Sequence, residues 1–279
     1  DAAILFSDIL TPVEKMGLEL DFVPGPVIAN PVRSQADVER LRIPDPEQDL
    51  PYVLESIKIL RRELDGRVPL IGFGGAPFTL ACYMVEGKGA KDFLQIRRMM
   101  YTAPEVYASL MEKVTRMEIA YLNAQIGAGV QAVQIFDTWG GILSPHDYQR
   151  YVLPYSRMMI DGLVRDDLPV IHFVKGASGM LDLVASAGAD VVGLDWHTSL
   201  GRARDQLGRH IAVQGNLDPA VLHAPLPVIE AQVRRILDEN GGRPGHIFNL
   251  GHGITPEVPP EHARFMVECV HRLSGTAPV

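Results

Sequence analysis

The sequence predicts an α/β fold, a single (β/α)8 barrel of the TIM type, and three observations support this. Seven short apolar segments recur along the 279 residues. Segments with helical periodicity separate most of them, and this alternation is typical of parallel βαβ units. No glycine-rich dinucleotide fingerprint follows the first apolar segment, which favours a barrel over an open doubly wound sheet. We therefore expect one barrel domain over residues 1–279.

The seven predicted strands are continuous apolar runs that end in polar residues, as expected for strands buried on both faces. They read AAILFSD, RVPLIGFGG, VQAVQIFDT, LPVIHFVKG, ADVVGLDWH, HIAVQGNLD and HIFNLGHG. A barrel of eight strands needs one more. We expect its first strand to lie upstream of Asp1, which would leave the domain incomplete at its N-terminus. The alternative is a strand in LELDFVPGPV, but Pro24 and Pro26 suit a hairpin or lid better.

Individual elements follow from local patterns. The first segment predicts a buried strand containing Ile4, Leu5 and Phe6, which ends where Asp8 reaches the surface. Apolar residues at helical spacing predict a helix from Leu50 to Leu64. A long helix is predicted from Pro104 to Ile126, because proline is favoured in a first helical turn.

The composition excludes several classes of function. The formal charge is −8, with 34 acidic and 26 basic residues, so the overall field does not attract nucleic acid or anionic lipid. No apolar run is long enough to span a membrane and no secretory signal is evident, which predicts a cytoplasmic protein. Cys82 and Cys269 lie far apart and are expected to be reduced and buried.

The active site of such a barrel lies at the C-terminal ends of its strands. The polar and glycine residues at those ends are the candidate site. They are Asp8, Gly74, Gly75, Asp137, Thr138, His172, Asp195, Trp196, His197, Asn216, Asp218 and His252. On the helix after GFGG, Tyr83 is expected to reach the same mouth.

Familiar catalytic motifs are weak in this sequence. GFGGAPFTL matches neither phosphate-binding pattern, so it is better explained as a close-packed turn. A zinc site at His172, His197 and His252 with Asp195 lacks the expected cysteine ligands. No G-x-S-x-G elbow is present, and Cys82 lies in an apolar helix that would raise its pKa. Lys175 follows a strand and could form a Schiff base, but a solvated loop lysine is the simpler interpretation.

Several longer strings carry a more specific signal. FSDIL, PLIGFGGAPFTLACYMVEG, QIFDTWGGILSP, GLDW, VQGNLDP and FNLGHGITPEVPPEH occur in this order along the whole chain. Together they closely resemble the uroporphyrinogen decarboxylase family. The resemblance implies a distorted (β/α)8 barrel that forms a homodimer. It also implies a carboxy-lyase that converts uroporphyrinogen III to coproporphyrinogen III by removing four acetate carboxyls, with no metal or other cofactor.

The resemblance also assigns roles to individual residues. It implies that Asp8 in FSDIL is the catalytic carboxylate, which binds the pyrrole N–H groups and stabilises a protonated pyrrole. It implies that Tyr83, Thr138 and His252 bind substrate. Asp137, Trp139 and Asp195 lie near these positions, but the resemblance gives them no role.

One family feature is missing from the printed sequence. The family carries an arginine-rich segment of the form R-Q-A-G-R before the FSDIL strand, whose arginines bind substrate carboxylates, and no such string occurs here. Two other functions stay open, of which only the second follows from the missing arginines. One is a zinc-dependent methyltransferase of a related barrel family. The other is an inactive tetrapyrrole-binding fragment.

Overall fold

The computed structural model describes residues 1–23 and 25–275. Its strands are β1 (Ala3–Ile4), β2 (Leu20–Phe22), β3 (Pro26–Ile28), β4 (Leu70–Gly75), β5 (Ala132–Asp137), β6 (Val170–Val174), β7 (Val191–Gly193), β8 (Ala212–Gln214) and β9 (His246–Ile247). Its helices are α1 (Thr11–Lys15), α2 (Gln35–Arg40), α3 (Pro46–Asp49), α4 (Pro51–Leu64), α5 (Pro77–Glu86), α6 (Leu94–Thr102), α7 (Pro104–Ala128), α8 (Pro145–Asp147), α9 (Leu153–Asp161), α10 (Leu181–Ala185), α11 (Leu200–Leu207), α12 (Leu226–Asn240) and α13 (Pro260–Ser274).

Seven strands form one parallel sheet in the order β1-β4-β5-β6-β7-β8-β9. The sheet is curled, since the amide of Gln214 on β8 donates to Gln134 on β5, three strands away, at 3.3 Å. This is an α/β fold with a curled seven-stranded sheet, consistent with a TIM-type barrel. The prediction of seven strands is confirmed, and no eighth strand of this sheet occurs within the described ranges.

The segment LELDFVPGPV forms a hairpin rather than a sheet strand. Strands β2 and β3 pair antiparallel, with Leu20 opposite Ile28. The hairpin interpretation is therefore confirmed, although Pro24 lies outside the described residues. Backbone N–H groups of the hairpin and its neighbours bond to the end of α5, as in Ile28 N–H to Gly87 O at 2.7 Å.

The first strand differs from its prediction. It is only two residues long, and the expected burial is wrong, because Ile4 is 40% exposed and Phe6 82% exposed. The reason is pairing: β1 is an edge strand that contacts β4 through Ala3 and Ile4, and the last bond joins Leu5 N–H to Ile71 O at 3.1 Å. Beyond Leu5 the chain leaves the sheet.

Where the chain leaves the sheet after Leu5, β4 loses β1 as its partner strand, and the side chain of Gln125 takes over the backbone hydrogen bonds of Phe73. The Gln125 amide of α7 accepts from Phe73 N–H at 3.0 Å and donates to Phe73 O at 2.9 Å. Gln125 is buried, and an unpaired buried backbone group would cost about 1–3 kcal/mol. One glutamine thus satisfies both backbone groups of Phe73.

The helices confirm the sequence patterns. Helix α4 buries Val53, Leu54 and Ile57, and helix α7 spans 25 residues from Pro104. Both cysteines are free and buried, as expected. Within the described part of the chain, no helix has the length and apolar character needed to cross a bilayer.

Candidate active site

A row of rings crosses the inner face of the sheet at the C-terminal ends of its strands. Phe6 stacks on Phe73 with centroids 5.8 Å apart and planes 5° from parallel. The row continues from Phe73 to Phe136 at 6.1 Å, to Phe173 at 6.4 Å and to His252 at 6.2 Å. These rings give the mouth an apolar wall suited to a flat, ring-containing ligand.

The phenylalanines of this row were not among the site residues predicted from the sequence. A signal for them exists, because Phe73, Phe136 and Phe173 each occupy an inward position near the end of successive strands. Parallel strands in register bring such positions together, and Phe136 is paired directly with Phe173.

Asp8 lies at one end of the mouth, in the turn that precedes α1. Its Oδ1 accepts from Leu10 N–H at 2.8 Å, and its carbonyl accepts from Thr11 N–H at 3.1 Å. The side chain is exposed. Because β1 ends at Ile4, Asp8 is a turn residue four positions beyond the strand rather than the strand-end residue that the sequence predicted.

Tyr83 comes close to Asp8 from helix α5. Its half-buried ring packs edge-on against Phe93 at 6.0 Å and Trp139 at 6.3 Å. Burial raises the pKa of Tyr83, the Trp139 indole N–H opposes that rise, and the Asp8 carboxylate adds to it. The phenol therefore keeps its proton and remains a hydrogen-bond donor beside a carboxylate.

Thr138 directly follows β5 and is half-buried at the mouth. The residue before it, Asp137, is fully buried and holds this loop: its Oδ1 accepts from the Thr79 hydroxyl at 2.6 Å and from Gly140 N–H at 3.1 Å. The Thr79 oxygen in turn accepts from Trp139 N–H at 3.0 Å. Burial raises the pKa of Asp137 to about 6, against the effect of these hydrogen bonds.

Asp195 holds the loops after β6 and β7. Its buried carboxylate accepts from Gly176 N–H at 2.5 Å and from His197 N–H at 2.9 Å. The Asn216 amide donates to the carbonyls of Asp195 at 2.9 Å and Thr198 at 2.6 Å. These side chains are committed to backbone groups, so they shape the mouth without facing a ligand.

Two glycines let neighbouring loops touch. A Cβ on Gly141 would collide with the carbonyl of Lys175 and the backbone of Gly176. A Cβ on Gly251 would lie 2.7 Å from Trp196 N. The loops after β5, β6, β7 and β9 are therefore packed against each other as one rim.

His252 is the last ring of the row that begins at Phe6, and it contacts Phe173. It is half-buried, and burial lowers its pKa, as does the Lys175 charge, whereas Asp195 has the opposite effect. The imidazole is thus favoured in its neutral form. A neutral imidazole can both donate and accept a hydrogen bond.

Some of the other candidates have structural roles. Asp218 caps the 3-10 helix that follows it through Ala220 N–H at 2.9 Å. His197 is exposed, with its Nδ1 3.5 Å from the Asp195 carboxylate. A Cβ on Gly75 would clash with Leu80 at 2.5 Å, which confirms the close packing expected of this glycine.

Including His172 in the mouth was wrong. Side chains alternate along β6, and since Phe173 faces the mouth, His172 faces the helices beside Val184 of α10. It is fully buried, neither ring nitrogen has a hydrogen-bond partner, and burial lowers its pKa to about 4. Across residues 1–23 and 25–275, the side chains that could ligate a metal form no cluster of three or more.

A model of the family described as Uroporphyrinogen decarboxylase (URO-D) matches residues 1–273. This chain belongs to the uroporphyrinogen decarboxylase family. Its relatives of that name include one from Geobacter sulfurreducens, 74% identical over 274 residues that cover 98% of this chain and 81% of the relative. Another, from Trichlorobacter lovleyi, is 73% identical with the same coverage.

A solved structure supports the fold of this family member. A methyltransferase from Methanosarcina mazei superposes with a TM-score of 0.83 at 20% identity, covering 97% of this chain and 80% of that one. A likeness at that identity shows the shared fold alone. The recognition of the decarboxylase family from sequence strings is confirmed.

Proposed function

We propose that this chain is a uroporphyrinogen decarboxylase, a carboxy-lyase that converts uroporphyrinogen III to coproporphyrinogen III. The observation that carries the proposal is the shared mouth of Asp8 and the aromatic row, in a chain 74% identical to an enzyme of that name. A zinc-dependent methyltransferase is not favoured, because the likeness to a methyltransferase is limited to the fold.

The chemistry needs an electron sink beside each acetate. Protonation of a pyrrole carbon next to the acetate-bearing carbon makes the ring cationic. The bond between the acetate methylene and its carboxylate then breaks, carbon dioxide leaves, and the electron pair passes into the ring. A proton is added to the former methylene and the ring proton is lost, so each acetate consumes one proton and gives one methyl group and one carbon dioxide.

Asp8 is proposed as the catalytic carboxylate. Its single hydrogen bond to Leu10 N–H leaves Oδ2 available, and the exposed position leaves it open to a ligand. A fixed negative charge there stabilises the cationic pyrrole and accepts from pyrrole N–H groups.

Tyr83, Thr138 and His252 are proposed as substrate-binding residues. They come from three different parts of the mouth, and each can donate a hydrogen bond to a carboxylate. The aromatic row between them supports the flat faces of the pyrroles.

Three further parts of the proposal concern the working enzyme. An eighth strand between β9 and β1 closes the barrel, and the support is that each of these two strands has one unpaired side among the described residues. The enzyme acts as a homodimer, since two-fold pairing is the commonest oligomeric state. Its place is the cytoplasm, where the substrate is its small-molecule partner, with no nucleic acid or membrane involved.

An anaerobic assay of the full-length protein tests the function. We expect four carbon dioxide molecules per uroporphyrinogen III and a product with four methyl groups in place of the acetates. Heat-inactivated protein is the control. A folded, homogeneous preparation that releases no carbon dioxide would contradict the proposal. If that preparation still binds uroporphyrin, the oxidised form of the substrate, an inactive tetrapyrrole-binding protein is favoured.

A further inference from the structure

Lys175 lies at the rim of the mouth, close to the aromatic row. Alternation along β6 puts Val174 in the core, 1% exposed, and Phe173 on the inner face, in contact with Phe136 and His252. Lys175 lies in the turn one residue past the end of β6, where its charge lowers the pKa of His252 at the mouth. The lysine is half-buried there.

The backbone places Lys175 beside Thr138. Asp137 is paired with Val174, and the next bond, from Lys175 N–H to Asp137 O at 3.2 Å, extends that register beyond the strands. The contact of Gly141 with the Lys175 carbonyl fixes the two loops against each other. Lys175 and Thr138 each lie one residue past the end of adjoining strands, so their backbones are neighbours at the rim of the mouth.

The ammonium of Lys175 has a position but no counter-ion. Its Nζ lies 5.9 Å from the centroid of the Trp196 ring, within the range of a cation–π contact. Among the described residues, no carboxylate lies within ion-pair distance of it. The nearby Asp195 carboxylate uses both oxygens on Gly176 and His197 N–H groups.

We propose that Lys175 is a substrate-binding residue, whose ammonium pairs with one of the peripheral carboxylates of the tetrapyrrole next to the Thr138 hydroxyl. This rests on the proposed function. The ligand carries eight carboxylates and the chain has a formal charge of −8, so the two repel each other overall. A cation without a counter-ion at the mouth offsets this repulsion locally. Trp196 holds the lysine stem without neutralising its charge.

The proposal differs from the two earlier interpretations of this lysine. A Schiff-base role needs the amine itself, which arginine cannot replace, whereas carboxylate pairing needs only the positive charge. A solvated loop lysine would contribute nothing to binding. Substitutions of Lys175 separate all three.

The test compares Lys175→Gln and Lys175→Arg with Lys58→Gln, a matched control at an exposed lysine on the outer helix α4. Affinity is measured by fluorescence titration with uroporphyrin, the stable oxidised octacarboxylate, and KM with uroporphyrinogen. We expect Lys175→Gln to weaken binding and raise KM about ten- to a hundredfold, the usual effect of losing a charged hydrogen bond. Lys175→Arg should retain most of the affinity, and the slope of log Kd against log salt should fall in Lys175→Gln.

Coproporphyrin, which keeps only the propionates, identifies the carboxylate. A Lys175→Gln defect with both porphyrins assigns a propionate, and a defect with uroporphyrin alone assigns an acetate. If Lys175→Gln does not fold, Lys175→Met keeps the stem over Trp196 and serves in the same titration.

Two failures are distinguishable. An inactive parent that still binds uroporphyrin contradicts the decarboxylase function and leaves the binding test in force. An active parent whose Lys175→Gln variant matches Lys58→Gln in KM, Kd and salt slope overturns the Lys175 assignment. A Lys175→Arg variant as defective as Lys175→Gln, with normal thermal stability, also overturns it.

Discussion

The Thr79 hydroxyl donates a 2.6 Å hydrogen bond to the buried Oδ1 of Asp137. This bond joins helix α5, which carries Tyr83, to the end of strand β5, which carries Thr138. The Thr79 oxygen also accepts from Trp139 N–H, whose ring packs on Tyr83. A single buried threonine thus sets the spacing of two proposed substrate-binding hydroxyls.

Thr79→Val should disturb that spacing. Valine keeps the volume but leaves Trp139 N–H without its acceptor and Asp137 Oδ1 with only the Gly140 N–H donor. We expect a loss of about 1–3 kcal/mol in unfolding free energy, the usual result of an unpaired buried polar group. KM for uroporphyrinogen should rise more than kcat falls. Thr79→Ser restores the hydroxyl and should recover both, and a Thr79→Ser variant as impaired as Thr79→Val would refute the role of the hydrogen bond.

Asp8→Asn should abolish most turnover without harming the fold. Asparagine keeps an Oδ1 to accept from Leu10 N–H but lacks the negative charge that stabilises the cationic pyrrole. We expect kcat to fall by about 10² to 10³ at saturating substrate. Asp45→Asn is a matched control, because Asp45 is an exposed aspartate whose Oδ1 likewise accepts from the N–H two residues on, at 3.0 Å. Near-parental kcat in Asp8→Asn would reduce Asp8 to a turn residue.

Replacing the buried Glu118 with glutamine should raise the stability of the protein at neutral pH. Glu118 is fully buried beneath Gly74, neither carboxylate oxygen has a hydrogen-bond partner, and burial raises its pKa well above 4.5. Above pH 4.5 the unfolded chain loses this proton while the folded protein keeps it, so the folded state loses about 1.4 kcal/mol per pH unit until its own pKa is reached.

The advantage of Glu118→Gln over the parent in the free energy of urea unfolding should therefore grow as the pH rises above 4.5. Glu112→Gln, at an exposed position on the same helix, is the control. A constant difference above pH 4.5 would show that Glu118 is ionised in the folded protein.

The buried His172 should make the protein less stable as the pH falls, whereas Glu118 makes it less stable as the pH rises. The pKa of His172 in the folded protein, about 4, is below the ordinary 6.5, so stability from the neutral imidazole is complete above pH 6.5 and is lost as pH falls towards 4. The loss over this range is about 3 kcal/mol. His172→Gln should flatten this part of the curve, whereas His146→Gln, at an exposed histidine, should not. If the stabilities of the parent and of His172→Gln fall equally between pH 6.5 and 4, His172 is not buried in its neutral form.

The sequence predicted elements whose signal is local. Continuous apolar runs identified the seven strands, and paired prolines identified the hairpin of β2 and β3. The exposure of Phe6 could not be predicted, because it depends on which strands flank β1 rather than on its own residues. Family strings supplied four proposed site residues, but not the side chains that position them.

The direction of the His172 side chain could not be predicted from the sequence alone. Phe173 alternates with it, so assigning Phe173 to the inner face assigns His172 to the outer face. Which phase is correct depends on packing against the neighbouring helix, and the apolar run IHFV is compatible with both phases. A buried strand conceals its phase because both of its faces are apolar.

The pairing of Gln125 with Phe73 separates the sheet from the turn that presents Asp8. Because a helix side chain satisfies β4 at that point, the residues between Leu5 and Asp8 carry no share of the sheet's hydrogen bonding there. That stretch is held instead by the stacking of Phe6 on Phe73 and by the contact between the Ser7 and Thr11 hydroxyls. A shift of the Asp8 turn would therefore cost aromatic stacking at the mouth but no hydrogen bond of the sheet.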